Sequence, residues 1–274
     1  MNSTEQIFEA IKKQLDEGTV PWHKPWVSQP SRIINHYNGK PYTSVRNRML
    51  LGCAGEYATI RQINSEGGRV NKGAKGYRIY FGDSVERKKN DSDEQDKDVY
   101  YLLRAFTVFH ISDTNLQPKY ADIWNSAPPV RCDASDVLDD YARRTGLQVR
   151  FGGDSAHFSK SHNYIIVPQE HDFQTPEEFW GTVFHELVHS TMRLTDRNYS
   201  YAKEELVAEI GSVLCVGHMG MTPAIGNAVS YINSWKSRIR DFKPLDFSDA
   251  CRAAEWAFNT IFNITNNNKE KNNE

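Results

Sequence analysis

Residues 176–191, PEEFWGTVFHELVHST, decide how this chain is read. Thr175 is placed to cap a helix, Pro176 falls in its first turn, and Glu178 completes a Thr-x-x-Glu capping box. Phe179, Trp180, Val183, Phe184, Leu187 and Val188 follow as a broad apolar stripe, which predicts a helix over 176–192 anchored in a core. On that helix His185 and His189 stand one turn apart, roughly 6 Å along the axis and about 40° around it. Two imidazoles so spaced can converge on one cation, with zinc–nitrogen distances of about 2.0–2.1 Å. Glu186 projects beside them, where a carboxylate can take a proton from a water activated by the ion.

A site of this kind needs a third ligand and an open position. The stretch 201–210, YAKEELVAEI, predicts a second helix, in which Glu205 is assigned as third ligand. Glu209, one turn further on, is assigned as an acceptor for an imidazole N–H, which would fix that ring's tautomer. Glu204 is the rival ligand, because helical phase does not separate neighbours, and Asp196 in the intervening loop is another. The donor set suits Zn2+, with another divalent metal such as Mn2+ left open. Peptide hydrolysis with Glu186 as base and then acid fits this pattern; a purely structural metal is the competing reading. His218, Tyr199, Tyr201 and Arg197 are candidates for a group stabilising charge on the substrate carbonyl, each with a structural role as the alternative. Residues 164–168, YIIVP, read either as an edge strand to which an extended peptide could add or as a plain core strand.

The whole chain has 274 residues, 39% hydrophobic and 25% charged. That is enough for a buried core and close to two average domains, and it excludes disordered and collagen-like classes. No apolar run approaches the roughly 18 residues that cross a bilayer, and the N-terminus lacks the apolar core of a secretory signal. Cys53, Cys132, Cys215 and Cys251 form no CxxC pair, which points to thiols in a reducing cytoplasm. The expected fold is α+β: an N-terminal α/β domain over 1–126, a metal domain over 127–265 and a disordered tail over 266–274, with the linker near Pro128–Pro129. Helices are expected over 3–17, 45–51, 133–145, 201–217, 227–241 and 248–261. Strands are expected from Tyr77, from Val99, and at 149–151 and 164–167, with a mobile polar loop over 86–98.

Lys and Arg outnumber Asp and Glu over residues 1–89, although the net charge of the chain is −2. This asymmetry points to a polyanion partner for that third alone. Trp22, Trp26 and Tyr42 lie among Lys24, Arg46 and Arg48, and a glycine-rich stretch carries Lys72 and Lys75. Rings on which bases stack, interleaved with cations that track phosphates, suit single-stranded DNA. A core role for the same rings is the competing reading.

In GTVPWHKPW (18–26), GKPYTSVRN (39–47) and GGRVNKGAKG (67–76), then HNYIIVPQEHDF, FHELVHST and YAKEELVAEI, the chain resembles ArdC-type antirestriction proteins over nearly its whole length. The resemblance implies an N-terminal single-stranded-DNA-binding domain and a C-terminal zincin-like metallopeptidase domain of the HExxH…E (gluzincin) type, on plasmids, phages and conjugative elements. It implies His185, His189 and Glu205 as ligands, Glu186 as acid/base, and a host protein as a candidate substrate. It also adds Asn47 to the DNA-binding set, although Ser44-Val45-Arg46-Asn47 stands where relatives carry Gly-hydrophobic-Asn. A second departure is that Met192 leads directly to Arg193-Leu194, which shortens the turn between the two metal-bearing helices.

Overall fold

Ile7, Phe8, Ile11 and Leu15 recur at helical spacing and are all buried, and helix α1 runs over Ser3–Asp16 in the computed structural model, which describes residues 1–88, 97–125, 133–195, 198–224 and 228–264. The chain divides into two units: Met1–Gln14 with Pro30–Ser126, and Leu15–Gln29 with Ala127–Glu274.

In the first unit, β1 (Ile33–Asn35), α2 (Val45–Leu50), β2 (Gly55–Thr59) and α3 (Ile60–Ser65) precede a long hairpin of β3 (Tyr77–Lys88) and β4 (Lys97–His110), followed by α4 (Ala121–Asn125). The sheet order is β1-β2-β4-β3; β1 and β2 are parallel and the other pairs antiparallel. A reciprocal Thr59–Gln62 capping box starts α3 directly at the end of β2. β3 is an edge strand, and Asn47 of α2 pairs with its free side. The amide donates to the Tyr80 carbonyl and accepts from the Tyr80 N–H, both at 2.9 Å. A side chain thus replaces the missing neighbouring strand and protects the edge.

Glu56 on β2 is 1% exposed and is hydrogen-bonded throughout. It accepts from the backbone N–H groups of Lys119 (3.0 Å) and Tyr120 (2.6 Å), from Trp124 Nε1 (3.3 Å), and pairs with His36 Nδ1 (2.6 Å). His36 Nε2 meets the half-buried Glu66 at 3.2 Å, so one network, buried at Glu56 and His36, ties the ends of β1 and α3, β2 and the segment before α4 together.

The second unit contains α5 (Ala134–Thr145), a three-stranded sheet of β5 (Gln148–Phe151), β6 (His157–Ser159) and β7 (Tyr164–Val167), and the helices α6 (Pro176–Thr191), α7 (Tyr201–His218), α8 (Ala228–Ile239) and α9 (Pro244–Ile261). Val183, Phe184, Leu187 and Val188 of α6 are buried, as are Leu206, Val207, Ile210 and Val213 of α7 and a run of alanines on α9. Gly211 lets α6 and α7 approach closely: a Cβ there would stand 2.7 Å from Val188 Cγ2.

Of the two readings of 164–167, the core strand is the one that forms: it is central, with β5 parallel on one side and β6 antiparallel on the other, and β6 supplies an edge too short to be read from sequence alternation. Two expectations are corrected. Residues 15–29 group with the second unit although they were read as part of the first. The reason is local packing: Trp22 is fully buried against Trp235, ring centroids 5.3 Å apart, and Ser28 occupies the space where a Gly217 Cβ would be. The stretch read as a loop over 86–98 is strand at both ends, while 89–96 lie outside the described residues. Pro128–Pro129, Asp196, Arg197 and the tail 266–274 also lie outside them. Among the described residues, no helix is long and apolar enough to cross a membrane.

Candidate functional site

Thr175 caps α6 through the Glu178 N–H, with Pro176 behind it, and the buried stripe of that helix fixes which face turns away from the core. Glu186 lies within α6, and α7 runs beside it. His185, His189 and Glu205 each offer an atom within 4.8 Å of the others. The two Nε2 atoms are 3.1 Å apart. Glu205 Oε1 lies 3.6 Å from His189 Nε2, and its Oε2 lies 3.9 Å from His185 Nε2. Ligand atoms around one tetrahedral zinc at about 2.0–2.1 Å sit about 3.3 Å from each other. The observed spacings bracket that value, and the N/N/O donor set is one that divalent cations take, so the three side chains fit a metal.

The neighbouring carboxylates sort by position. Glu204 Oε1 lies 3.2 Å from His189 Nδ1, the far side of that ring from Glu205. Glu209 Oε2 lies 3.8 Å from His185 Nδ1. Each imidazole therefore has one acidic partner behind it and Glu205 in front, the arrangement that holds ligating rings in one tautomer. Burial, then the neighbouring His189, hold the His185 ring toward its neutral form. Burial works the same way on His189, but its hydrogen bond to Glu204 and the surrounding carboxylates outweigh it and raise that ring. Glu186 is 6% exposed. Burial pushes its carboxyl up to about 7, assisted by the Glu205 charge and opposed by His189 and a backbone hydrogen bond from Phe158 on β6. A cavity of about 450 Å³ opens beside His185 and Glu209 and is lined also by Glu177, Glu178, Gly181 and Thr182.

Of the four candidate carbonyl-stabilising groups, His218 packs against Phe258 and Phe262 with centroids 5.2 and 4.6 Å away, and Tyr199 lies under Lys203. Tyr201 is 73% exposed and hydrogen-bonds Glu205, whose charge raises the phenol. Sequence reading missed three contributors. Arg238 Nη1 lies 3.8 Å from Glu205 Oε2, His23 Nε2 lies 3.0 Å from Glu209 Oε1, and Tyr231 donates its hydroxyl hydrogen to the same Glu209 oxygen. Tyr231 and Arg238 are seven apart on α8, two helical turns on one face, and that spacing was the available signal.

The residues assigned to DNA separate sharply. Trp22 has no exposed surface, so its ring offers no face to a base; that assignment is corrected to core packing. Tyr42 is 5% exposed, and burial pushes its phenol up to about 12. Asn47 and Arg48 are buried and bond to backbone, Asn47 at Tyr80 and Arg48 at the Tyr42 and Thr43 carbonyls; they too are structural. Lys24, Trp26 and Arg46 are half-buried, with Lys24 over the Trp26 ring, while Lys72 and Lys75 are exposed. Two rings that were not singled out do face solvent: Phe81 at 44% and Phe106 at 40%, with centroids 5.8 Å apart. Exposed Arg104 stands opposite Phe81 in the β3–β4 register.

Residues 136–252 match the zincin-like metallopeptidase family and residues 1–109 match the N-terminal domain of anti-restriction factor ArdC. A DNA primase TraC of Escherichia coli is 29% identical over 92% of this chain, which spans only 19% of that longer protein. The metal-free crystal structure of the antirestriction ArdC protein from the R388 plasmid is 26% identical, covers 97% of this chain and all of its own, and superposes with a TM-score of 0.68. The Mn(II)-bound structure of the same ArdC protein, at 24% identity and with the same coverage and TM-score, shares the fold.

Proposed function

The chain belongs to the ArdC-type antirestriction proteins, and from that premise we propose that it is a single-stranded-DNA-binding antirestriction protein of a mobile element with a working metal-dependent peptidase centre. The observation that carries this reading is the convergence of His185, His189 and Glu205 within 4.8 Å, with the buried Glu186 carboxylate beside them. These three residues would hold the cation, Zn2+ or Mn2+. When bound, a divalent cation supplies Lewis acidity to a water and to a substrate carbonyl. Glu186 takes the proton that the attacking water gives up and returns it to the departing amine nitrogen. Glu204 and Glu209 keep the two rings oriented, and Tyr201 and Arg238, both beside Glu205, are the candidates for stabilising a developing negative charge. An extended segment of a host protein would add along β6, whose Phe158 N–H already reaches Glu186.

The first unit would hold the single strand. Phe81 and Phe106 supply stacking surface, Arg104 a cation beside them, and Lys72 and Lys75 further charge, with Arg46 a secondary candidate; Lys24 and Trp26 belong to the second unit and are separate candidates, not part of this surface. Thiols at Cys53 and Cys215, in no disulfide, support a cytoplasmic location.

Glu186→Gln tests the centre. Loss of antirestriction with metal and DNA binding intact supports chemistry at this site. Unchanged protection would mean that the metal only holds the fold. For the first unit, affinity for single strands should exceed that for duplex and fall steeply with salt; equal, salt-insensitive binding to both would remove the DNA half of the proposal.

A further inference from the structure

Glu209 is tied down by residues remote in sequence. His23 Nε2 lies 3.0 Å from Glu209 Oε1 and 3.2 Å from the Tyr231 hydroxyl. Tyr231 donates its hydroxyl hydrogen to the same Oε1 and accepts from Trp22 Nε1 at 3.3 Å. The His23 side chain is 4% exposed, and its Nδ1 is buried without a hydrogen-bond partner. Following the hydrogens assigns the roles: the carboxylate only accepts and the Tyr231 hydrogen is spent on it. His23 Nε2 therefore carries the hydrogen that reaches Glu209, and the partnerless Nδ1 is bare. Oε1 is then satisfied twice, and Oε2 is left facing His185 Nδ1 at 3.8 Å. A ring that keeps its hydrogen on Nδ1, toward a carboxylate, presents a bare Nε2 on its other side. That Nε2 is the atom 3.1 Å from its counterpart on His189.

We propose that His23, with Tyr231, is a positioning residue of the metal centre: it aims Glu209 at His185 so that the ring keeps Nε2 free for the cation. His23 belongs to Leu15–Gln29, which groups with the metal-bearing unit although it lies inside the stretch matched as an N-terminal domain. The metal-bearing unit therefore takes a working part from before residue 30, and a fragment limited to the zincin-like match would lack it. This inference rests on the metal-centre reading above.

The test uses the full chain as His23→Phe, His23→Gln and Tyr231→Phe, with Zn2+ affinity measured by chelator competition and the His185 tautomer by imidazole 15N NMR. His23→Phe keeps the bulk but loses the donor and should weaken Zn2+ binding by about 10–100-fold, with a mixed His185 tautomer. His23→Gln places an amide N–H near the old Nε2 and should stay within about threefold of the parent. Unchanged affinity in His23→Phe overturns the proposal, and so does equal loss in the Gln and Phe variants, which would mean packing alone. Should His23→Phe not fold, Tyr231→Phe removes a single oxygen and carries the same expectation. A parent chain that binds no Zn2+ refutes the metal-centre reading itself; a parent that binds, with unaltered variants, refutes only the positioning role.

Discussion

Gly211→Ala probes the contact that brings together α6 and α7, the two helices that carry the candidate metal ligands. Within a helix, replacing glycine by alanine ordinarily stabilises by about 1 kcal/mol. Here the added Cβ would stand 2.7 Å from Val188 Cγ2 and 3.0 Å from Val188 Cγ1, against an ordinary carbon–carbon contact of about 3.5–4.0 Å. Val188 is fully buried and β-branched, so one χ1 rotamer dominates in a helix and the side chain has little room to turn aside. The overlap must be relieved by moving α6 away from α7, at an overpacking cost of about 1–3 kcal/mol. The steric cost wins, and chemical denaturation of the metal-free chain should show a net loss of up to about 2 kcal/mol. Because His185 and His189 ride on α6 and Glu205 on α7, Zn2+ affinity should fall as well. Val188→Ala removes both clashing carbons, so in that background Gly211→Ala should recover the ordinary helix gain of about 1 kcal/mol. A stabilised Gly211→Ala single variant with unchanged Zn2+ affinity would refute the close-approach reasoning.

Glu56 makes the first unit sensitive to acid. Burial alone would raise its carboxyl, but hydrogen bonds from the Lys119 N–H, His36, the Tyr120 N–H and Trp124 outweigh it and hold it below the usual range. A depressed carboxyl contributes stability above its unfolded value of about 4.3 and loses it as pH falls through the folded value. Denaturant melts should therefore weaken below about pH 4 in the parent and change less over that window in Glu56→Gln. The same variant should be less stable at pH 7 by roughly 1–3 kcal/mol, because its amide nitrogen faces donors. Phe81→Ala and Phe106→Ala should each cost about 1–3 kcal/mol of single-strand binding without unfolding the chain. Trp22→Ala should instead cost about 3–5 kcal/mol of stability while leaving the affinity of the folded fraction unchanged. A reversed pattern in paired melting and binding titrations would return Trp22 to the DNA face.

A sequence makes legible whatever repeats at short range. The capping residues, the stripe from Phe179 to Val188 and the His185/His189 spacing are all fixed within one helix, and α6 formed where they indicated. The next helix was legible for the same reason. Its phase was not: Glu204 and Glu205 are adjacent, and only the packing of α7 on α6 turns Glu205 toward both Nε2 atoms and Glu204 to the back of His189. Strands as short as β1 and β6, three residues each, carry too little alternation to be seen. Trp22 looked like a stacking ring because composition cannot distinguish an exposed aromatic from a buried one. Phe81 and Phe106 were passed over because an aromatic strand reads as core until the sheet's register is known. His23 and Glu209 are 186 residues apart, and no local pattern links them.

Metal stoichiometry and affinity of the full chain and of three variants test the central claim most directly. One equivalent of Zn2+ or Mn2+ should bind per chain, be lost in His185→Ala and Glu205→Gln, and persist, weakened, in Glu204→Gln. A chain that binds neither ion, or one that loses its ion through Glu204→Gln while Glu205→Gln keeps it, would contradict the assignment of these side chains to a single cation.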